Sequence, residues 1–313
     1  DSGVDIGSAL SFQPDATTGT EQFAFSSGSN SLRIVRDLTG QEDGRLDPAP
    51  TELTTGDKDN EYAKQAFSTA DLNCDGISDM VVSEPAAGGS IGEVHIWYGS
   101  TTGIMSSPSV TLVGTATGDR FGHSTEHAGD VNGDGCDDLV VGAPGQMNTN
   151  GIASGVVHVF HGKTGGLEST ASWTAEGGAS GDKFGGTVAS AGDVHNDGHD
   201  DLLVAATGWT SGPTRTGQVY LYHGGANGLD TTGHSWSRDG SGTNLVLGFT
   251  MAGIGDANND GFDDVAISST RDFSDLSGYS RVQVYHGSAN GLPLTYAQEW
   301  SMDRQSTLFG RAL

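Results

Sequence analysis

The nine residues from Asp130 to Asp138, DVNGDGCDD, contain four aspartates and one asparagine and are followed at once by an apolar run. Asp130, Asn132 and Asp134 place side-chain oxygens at alternate positions of a tight loop, in which a glycine at the sixth position permits the sharp turn. Cys136 can add its backbone carbonyl and Asp138 can close the site. Because Ca²⁺ accepts six to eight oxygens at flexible geometry, this pattern suits calcium better than magnesium.

The apolar run that follows the loop indicates where the ion lies. In the helical calcium loop a bidentate acid stands at position 12, but position 12 here is Val141. We therefore expect the ion in a strand-to-strand hairpin, where it bridges backbone segments that the acidic charges would otherwise force apart.

The same pattern occurs four times in the chain. The other copies begin at Asp71, Asp193 and Asp256, so that successive copies are 59, 63 and 63 residues apart. Nine residues before each first aspartate stands an aromatic or aliphatic residue followed by a small one. These pairs are Tyr62-Ala63, Phe121-Gly122, Phe184-Gly185 and Leu247-Gly248, with Ile6-Gly7 before Asp15. Each unit holds about four strand-length segments, which is the content of one propeller blade.

These repeats predict an all-β chain folded as a β-propeller with four-stranded blades of roughly 60 residues. Fifty glycines against eight prolines also favour short strands joined by tight turns. Five repeats are visible, approximately at 6–61, 62–120, 121–183, 184–246 and 247–308, and a sixth begins at 309–313. We expect residues 1–313 to form a single propeller domain, closed by its C-terminal strand, or a fragment of a propeller in a larger chain.

The charge balance limits the partners. The chain has 14 basic and 40 acidic residues, and its net charge of −26 would repel nucleic acid and anionic membrane surfaces but attract cations. No apolar run approaches the roughly 18 residues of a membrane span, so we expect no membrane insertion. The two cysteines, Cys74 and Cys136, are too few for a disulfide framework and say little about the redox compartment.

The order of Phe121-Gly122, the acidic loop from Asp130 and the segment Gly142-Ala143-Pro144 resembles the FG-GAP repeat of integrin α-subunit propellers and their bacterial relatives. The resemblance covers nearly the whole chain and implies about four structural calcium ions, held at positions 1, 3, 5, 7 and 9 of each loop. Carried over to this sequence, the implied ligands are Asp71, Asn73, Asp75, Ile77, Asp79, Asp130, Asn132, Asp134, Cys136, Asp138, Asp193, His195, Asp197, His199, Asp201, Asp256, Asn258, Asp260, Phe262 and Asp264.

Two loops depart from the family pattern. His195 stands where the family has Asn or Asp, which predicts poor coordination, coordination through water, or a weaker and pH-sensitive site. The first repeat departs entirely, with DATTGTE from Asp15, and we predict no ion there.

The resemblance implies an extracellular binding or adhesion module that recognises a protein or polysaccharide ligand through loops on one face. The alternatives are an accessory propeller of a larger secreted polysaccharide-acting enzyme and a structural component of a surface assembly. We predict no enzymatic activity, because the sequence contains no Walker loop or Cys-x-x-Cys pair and its many carboxylates are expected to serve as metal ligands. Trp209 lies in the loop TGWTSGPTRTG and has no counterpart in other repeats, so it is a candidate ligand-binding residue.

Three sets of residues match patterns of functional sites but are expected to have structural roles. The segment HSTEH, from His123 to His127, matches a zinc-protease pattern, but it aligns with strands, on which the two histidines would be about 13 Å apart. Three histidines recur at equivalent strand ends and are expected to pack or cap a turn; they are His161, His223 and His286. Three tryptophans also recur one repeat apart and are expected in the core between blades; they are Trp173, Trp236 and Trp300.

Overall fold

A computed structural model of the chain describes residues 22–27, 31–36, 51–53, 67–101, 107–211, 214–241, 245–271, 280–302 and 310. The strands are β1 (Gln22–Ser27), β2 (Ser31–Arg36), β3 (Thr51–Leu53), β4 (Phe67–Ala70), β5 (Asp79–Glu84), β6 (Glu93–Trp97), β7 (Val110–Val113), β8 (Ser124–Gly129), β9 (Asp138–Ala143), β10 (Val156–Phe160), β11 (Trp173–Glu176), β12 (Phe184–Gly192), β13 (Asp201–Ala206), β14 (Thr210–Ser211), β15 (Thr214–Arg215), β16 (Gln218–Tyr222), β17 (Trp236–Asp239), β18 (Leu245–Gly255), β19 (Asp264–Arg271), β20 (Ser280–Tyr285) and β21 (Gln298–Met302). A short helical segment, α1 (Ala87–Ser90), follows β5. Within these ranges no helix has the length and apolar character needed to cross a membrane.

The strands form one sheet per repeat, and we number the sheets accordingly. The first sheet is β1-β2-β3, the second β4-β5-β6-β7, the third β8-β9-β10-β11, the fourth β12-β13-β16-β17 and the fifth β18-β19-β20-β21. A two-stranded ribbon, β14-β15, lies between β13 and β16 along the chain. All pairings are antiparallel, so each four-stranded sheet has the form of a propeller blade. The predicted all-β class with four-stranded units is confirmed for these four sheets.

Several predictions fall on other parts of the chain. Ile6-Gly7, Asp15, Tyr62-Ala63 and Phe309 lie outside the described residues. The absence of an ion from the first repeat therefore stays a prediction, as do the exact repeat boundaries.

The core lies between successive sheets. Every residue of β5, β9 and β13, the second strands of their sheets, is buried. In β9, Leu139 and Val141 belong to a cluster with Val81 of the second sheet, whereas Val140 belongs to a cluster with Leu202 of the fourth. Both faces of the strand are thus covered, which explains why its sequence is a continuous apolar run instead of an alternating one.

Tryptophans join the sheets at their outer strands. The Trp173 ring meets Tyr222 of the next sheet edge-on at 4.9 Å between ring centroids, and Trp236 meets Tyr285 at 5.4 Å. Both tryptophans are buried, as predicted for the core between blades. The prediction is wrong for Trp300, which is 49% exposed, because no sheet follows the fifth among the described residues.

The two glycine segments of the repeat meet across a sheet boundary. A Cβ on Gly142 would lie 2.1 Å from the carbonyl oxygen of Gly185, so only glycine allows this approach. Gly185 itself has a φ of 74°, in the left-handed region that favours glycine. Ser124 Oγ donates a hydrogen bond to the same Gly185 oxygen at 2.8 Å, and Phe184 is buried beside it. The Phe-Gly pair of one repeat is therefore packed on the Gly-Ala-Pro segment of the preceding repeat.

Candidate metal centre

Each acidic loop connects the first two strands of its sheet, as predicted for a hairpin site. The ninth loop residue is the first residue of the second strand in all four sheets, at Asp79, Asp138, Asp201 and Asp264. The twelfth position lies inside that strand in every copy, at Val82, Val141, Val204 and Ile267. The hairpin location of the acidic loops and their difference from a helical calcium loop are confirmed, and the ion itself stays a prediction.

The loop from Asp130 turns its oxygens toward its own backbone. Asp130 accepts the N–H of Asp134 on Oδ1 at 3.0 Å and that of Gly135 on Oδ2 at 2.8 Å. Asn132 Oδ1 accepts the same Asp134 N–H at 2.9 Å, and Asp134 Oδ1 accepts the N–H of Cys136 at 3.0 Å. The loops from Asp71 and Asp256 contain the same four bonds. Side chains at positions 1, 3 and 5 are thus gathered inside one turn.

Asp138 is fully buried at the base of this loop. Its Oδ2 accepts the N–H of Val131 at 3.0 Å and its Oδ1 accepts the N–H of Gly162 at 2.9 Å. Burial raises the pKa of Asp138 to about 8, and the neighbouring carboxylates of Asp134 and Asp130 also raise it. Burial likewise raises the pKa of Asp79 to about 7 in the second sheet. A cation at the loop would relieve this accumulation of negative charge.

The donor set of three loops fits calcium. In the loops from Asp71, Asp130 and Asp256, positions 1, 3, 5 and 9 all carry side-chain oxygens, and a backbone carbonyl is available at position 7. Hard divalent cations prefer oxygen ligands of this kind. Backbone N–H groups fix the ninth carboxylate, and calcium binding at these three loops stays a prediction.

The fourth loop does not fit calcium in the same way. His195 takes the place of the asparagine, and its Nε2 lies 2.9 Å from Asp197 Oδ2. Its Nδ1 lies 3.1 Å from Asp201 Oδ2. Position 3 thus offers nitrogen, which suits zinc and other transition metals better than calcium. Asp193 still accepts the N–H groups of Asp197 and Gly198, so the loop keeps its fold.

Aspartates at the eighth loop position link successive loops, a role that the sequence did not reveal. Asp200 Oδ2 accepts the N–H of Asp130 in the preceding sheet at 2.8 Å, and Asp130 O accepts the N–H of Asp200 at 3.1 Å. A Cβ on Gly129 would lie 2.1 Å from Asp200 Oδ2, which explains the glycine before the loop. Equivalent reciprocal bonds join Asp71 with Asp137 and Asp193 with Asp263. The doubled Asp-Asp in three copies was the available signal.

A disulfide bond joins Cys74 to Cys136, which corrects the view that the cysteines say little. Their Cα atoms lie 5.2 Å apart, and the bond connects the second sheet's loop to the third sheet's loop. Cys74 is the fourth residue of its loop and Cys136 the seventh of the next. Disulfides of this kind persist in oxidising compartments.

The recurring strand-end residues contact the next repeat. A Cβ on Gly228 would lie 2.9 Å from His161 Nε2, and one on Gly291 would lie 2.9 Å from His223 Nε2. His286 instead lies beside its own loop, with Nδ1 2.9 Å from Asp264 Oδ2. The expectation that these histidines pack against turns is confirmed for the first two.

The remaining candidates are placed as follows. Residues 124–127 of the HSTEH segment lie in β8, so the strand assignment that argued against a zinc-protease site is confirmed. Trp209 is partly buried and packs against the cluster between the third and fourth sheets. Its carbonyl accepts the N–H groups of Thr216 and Gly217, both at 3.1 Å. Ligand binding by Trp209 stays a prediction.

Comparison with known proteins identifies the repeat. The family model of the FG-GAP repeat matches residues 121–160 and 184–222, which contain the third and fourth loops. Integrin alpha-V of Gallus gallus is 28% identical over 228 residues, covering 67% of this chain and 20% of that protein. Integrin alpha-6 of Gallus gallus is 33% identical over 144 residues, covering 46% and 13%. Integrin alpha-PS2 of Drosophila melanogaster is 28% identical over 207 residues, covering 64% and 14%.

The chain therefore spans at most a fifth of the length of these three relatives. Among solved structures, an AofleA variant from Arthrobotrys oligospora aligns with 94% of this chain and 73% of its own at 12% identity. The TM-score of this alignment is 0.48.

Proposed function

We propose that this chain, an integrin-like FG-GAP repeat protein, is a calcium-stabilised binding module that acts outside the cell and recognises a protein ligand. The observation that supports it best is one loop geometry repeated in three sheets. Each of these loops gathers oxygens at positions 1, 3 and 5 above a buried aspartate at position 9.

Calcium would act on the blade hairpins. The residues proposed to hold it are Asp71, Asn73, Asp75, Ile77, Asp79, Asp130, Asn132, Asp134, Cys136, Asp138, Asp256, Asn258, Asp260, Phe262 and Asp264. When bound, the ion neutralises the loop carboxylates and fixes the first two strands of the sheet. Because Asp137, Asp200 and Asp263 connect successive loops, an ordered loop also positions its neighbour. The ions are therefore structural, and a partner is bound by surfaces that the blades present.

One feature of the structure supports an extracellular location. The Cys74–Cys136 disulfide favours an oxidising compartment. Integrin α subunits are the relatives from which a protein ligand and a non-enzymatic role are inferred.

The calcium part of the proposal is tested by calorimetric titration together with thermal unfolding in calcium, magnesium and excess chelator. A ligand that binds only the folded chain raises the unfolding midpoint by mass action. We expect at least three calcium ions per chain and a clear fall of the midpoint in chelator. Asp134→Asn should remove one ion, whereas Asp230→Asn, at an exposed acid outside the loops, should remove none. A chain that binds no calcium and has the same midpoint in chelator would overturn the proposal.

The binding part is tested on the immobilised full chain with purified extracellular-matrix proteins and with polysaccharides, in calcium and in chelator. The proposal expects saturable binding of a protein that is lost in chelator. Binding of polysaccharides alone would contradict the protein-ligand assignment and support the accessory role in polysaccharide recognition.

A further inference from the structure

Among the described residues, the fourth sheet contains a group of metal-ligating side chains that is not found in the other sheets. Ligand atoms of His195, Asp201 and His223 all lie within 4.8 Å of one another. His195 comes from the acidic loop, Asp201 begins β13, and His223 follows the end of β16. Three separate segments of one sheet therefore converge on this point.

Relative to the third and fifth sheets, which also have a strand-end histidine, the group arises from a single change at the third loop position. Asn73, Asn132 and Asn258 occupy the third position elsewhere, and each donates its Nδ2 to the aspartate two residues later. His195 instead brings two ring nitrogens toward carboxylates, at 2.9 Å from Asp197 Oδ2 and 3.1 Å from Asp201 Oδ2.

The strand-end histidine can reach the same carboxylate. In the fifth sheet the equivalent His286 places Nδ1 2.9 Å from Oδ2 of Asp264, the counterpart of Asp201. In the fourth sheet His195 lies at this carboxylate oxygen, and the His223 ring stacks on the His195 ring at 4.1 Å between centroids and 10° between planes. The buried Nε2 atom of His223 has no hydrogen-bond partner.

We propose that His195, Asp201 and His223 form a site for a zinc-class divalent transition metal, in place of the calcium expected of this loop. Two imidazole nitrogens and one carboxylate oxygen are a donor set that holds zinc in proteins, with a further position left for water. The site goes beyond the proposed binding function and does not depend on it.

Metal binding at this site requires one ring to turn. A metal ion lies close to the plane of each imidazole that binds it, and two nearly parallel stacked rings have no common point in their planes. The His223 ring packs against Gly291, but rotation of this ring toward the ion breaks no hydrogen bond of its Nε2 atom. Metal binding is thus expected to separate the two stacked rings.

The test is a titration of the full chain with Zn²⁺ in the presence of saturating Ca²⁺, followed by calorimetry and competition with a chromophoric chelator. We expect one zinc ion per chain in addition to the calcium ions. Co²⁺ in the same site should give the visible absorption bands of a nitrogen-ligated ion. Separation of the rings should appear as a shift of the His195 and His223 ring resonances in NMR spectra.

Paired variants assign the ion to these residues. His195→Asn makes the fourth loop like the third and should lose the zinc ion while gaining a calcium ion. Asn258→His should create a second zinc site, because His286 and Asp264 are already in place. His161→Asn, at the equivalent strand end of the third sheet, should leave zinc binding unchanged.

The proposed zinc site would be overturned if the parent chain and His195→Asn bound the same amount of zinc, or if neither bound any. Calcium counts at the three asparagine loops are measured separately in the same variants. Failure of calcium binding would thus contradict the proposed function while leaving the zinc result intact.

Discussion

Asp200 of the fourth sheet and Asp130 of the third hold each other by two hydrogen bonds, Asp130 N–H to Asp200 Oδ2 at 2.8 Å and Asp200 N–H to Asp130 O at 3.1 Å. The carboxylate accepts the backbone amide of a residue that itself faces the proposed ion. Burial raises the pKa of Asp200, and the negative charge of the nearby Asp130 also raises it. The link therefore brings two carboxylates that repel each other close together.

The first prediction separates the hydrogen bond from the charge. Asp200→Ala removes the acceptor of the Asp130 N–H and should lower the free energy of unfolding by about 1–3 kcal/mol. Asp200→Asn keeps an oxygen acceptor and removes one negative charge, so it should stay within about 0.5 kcal/mol of the parent chain or stabilise it. Denaturant unfolding in chelator measures both variants. Equal destabilisation by the two would contradict a role for the hydrogen bond.

The second prediction concerns pH in the calcium-free chain. The folded-state pKa of Asp138 is about 8 and that of Asp79 about 7, both above the unfolded value of 3.8. Between these values the folded chain binds more protons than the unfolded chain, so the free energy of unfolding falls as pH rises. In chelator we expect a lower unfolding midpoint at about pH 8 than at about pH 7, a window above most histidine titration.

Calcium should weaken this dependence, because the ion favours the ionised carboxylates. The increment that calcium adds to the midpoint should therefore be larger at the higher pH. Asp138→Asn is the control and should show a flatter fall in chelator. A midpoint that rises over the same pH window in chelator would contradict the prediction.

The third prediction concerns the disulfide. Cys74 and Cys136 are 62 residues apart in sequence, and closing a loop of that size stabilises the folded chain by on the order of 4 kcal/mol in the chain-entropy model. In the double variant Cys74→Ser with Cys136→Ser, the free energy of unfolding should fall by several kcal/mol, and it should no longer depend on added reductant. Mass spectrometry under non-reducing conditions checks the bond directly. An unmodified pair of free thiols in the chain under oxidising conditions would contradict it.

The fourth prediction compares two equivalent tryptophans. Trp173 is buried against Tyr222, and its Nε1 donates to the Asp230 carbonyl at 3.1 Å. Trp173→Ala should therefore destabilise the chain by about 3–5 kcal/mol. Trp300 occupies the matching position but is half exposed, so Trp300→Ala should cost less than about 1 kcal/mol. Thermal unfolding of both variants in calcium tests the contrast, and similar losses would contradict the exposure seen for Trp300.

The sequence predicted the hairpin loops and the sheets well, because both depend on local patterns that recur. The loop from Asp130 shows this: its glycine, its alternating oxygens and the apolar residues after Asp138 lie within one short segment. The same local pattern predicts a strand at Val141, which lies in β9.

Contacts between repeats could not be predicted in this way. The Cys74–Cys136 bond requires two successive loops to lie close together in space. The spacing of the two cysteines in the sequence, about one repeat, does not give the distance between them in the fold. The link from Asp200 to Asp130 is likewise made across a sheet boundary. For Trp300, the local pattern matched that of Trp173, but burial depends on whether a following sheet covers it.

The disulfide also determines how the chain would respond to a pulling force. Its two cysteines are 62 residues apart in sequence, with β5 to β8 between them. Because an extended chain spans roughly 3.5 Å per residue, the intact bond prevents the extension of about 200 Å of chain. Tension applied at the two ends would pass through the sulfur atoms and bypass these four strands. Under oxidising conditions, mechanical unfolding that proceeds from either end would therefore halt at the disulfide between the second and third sheets.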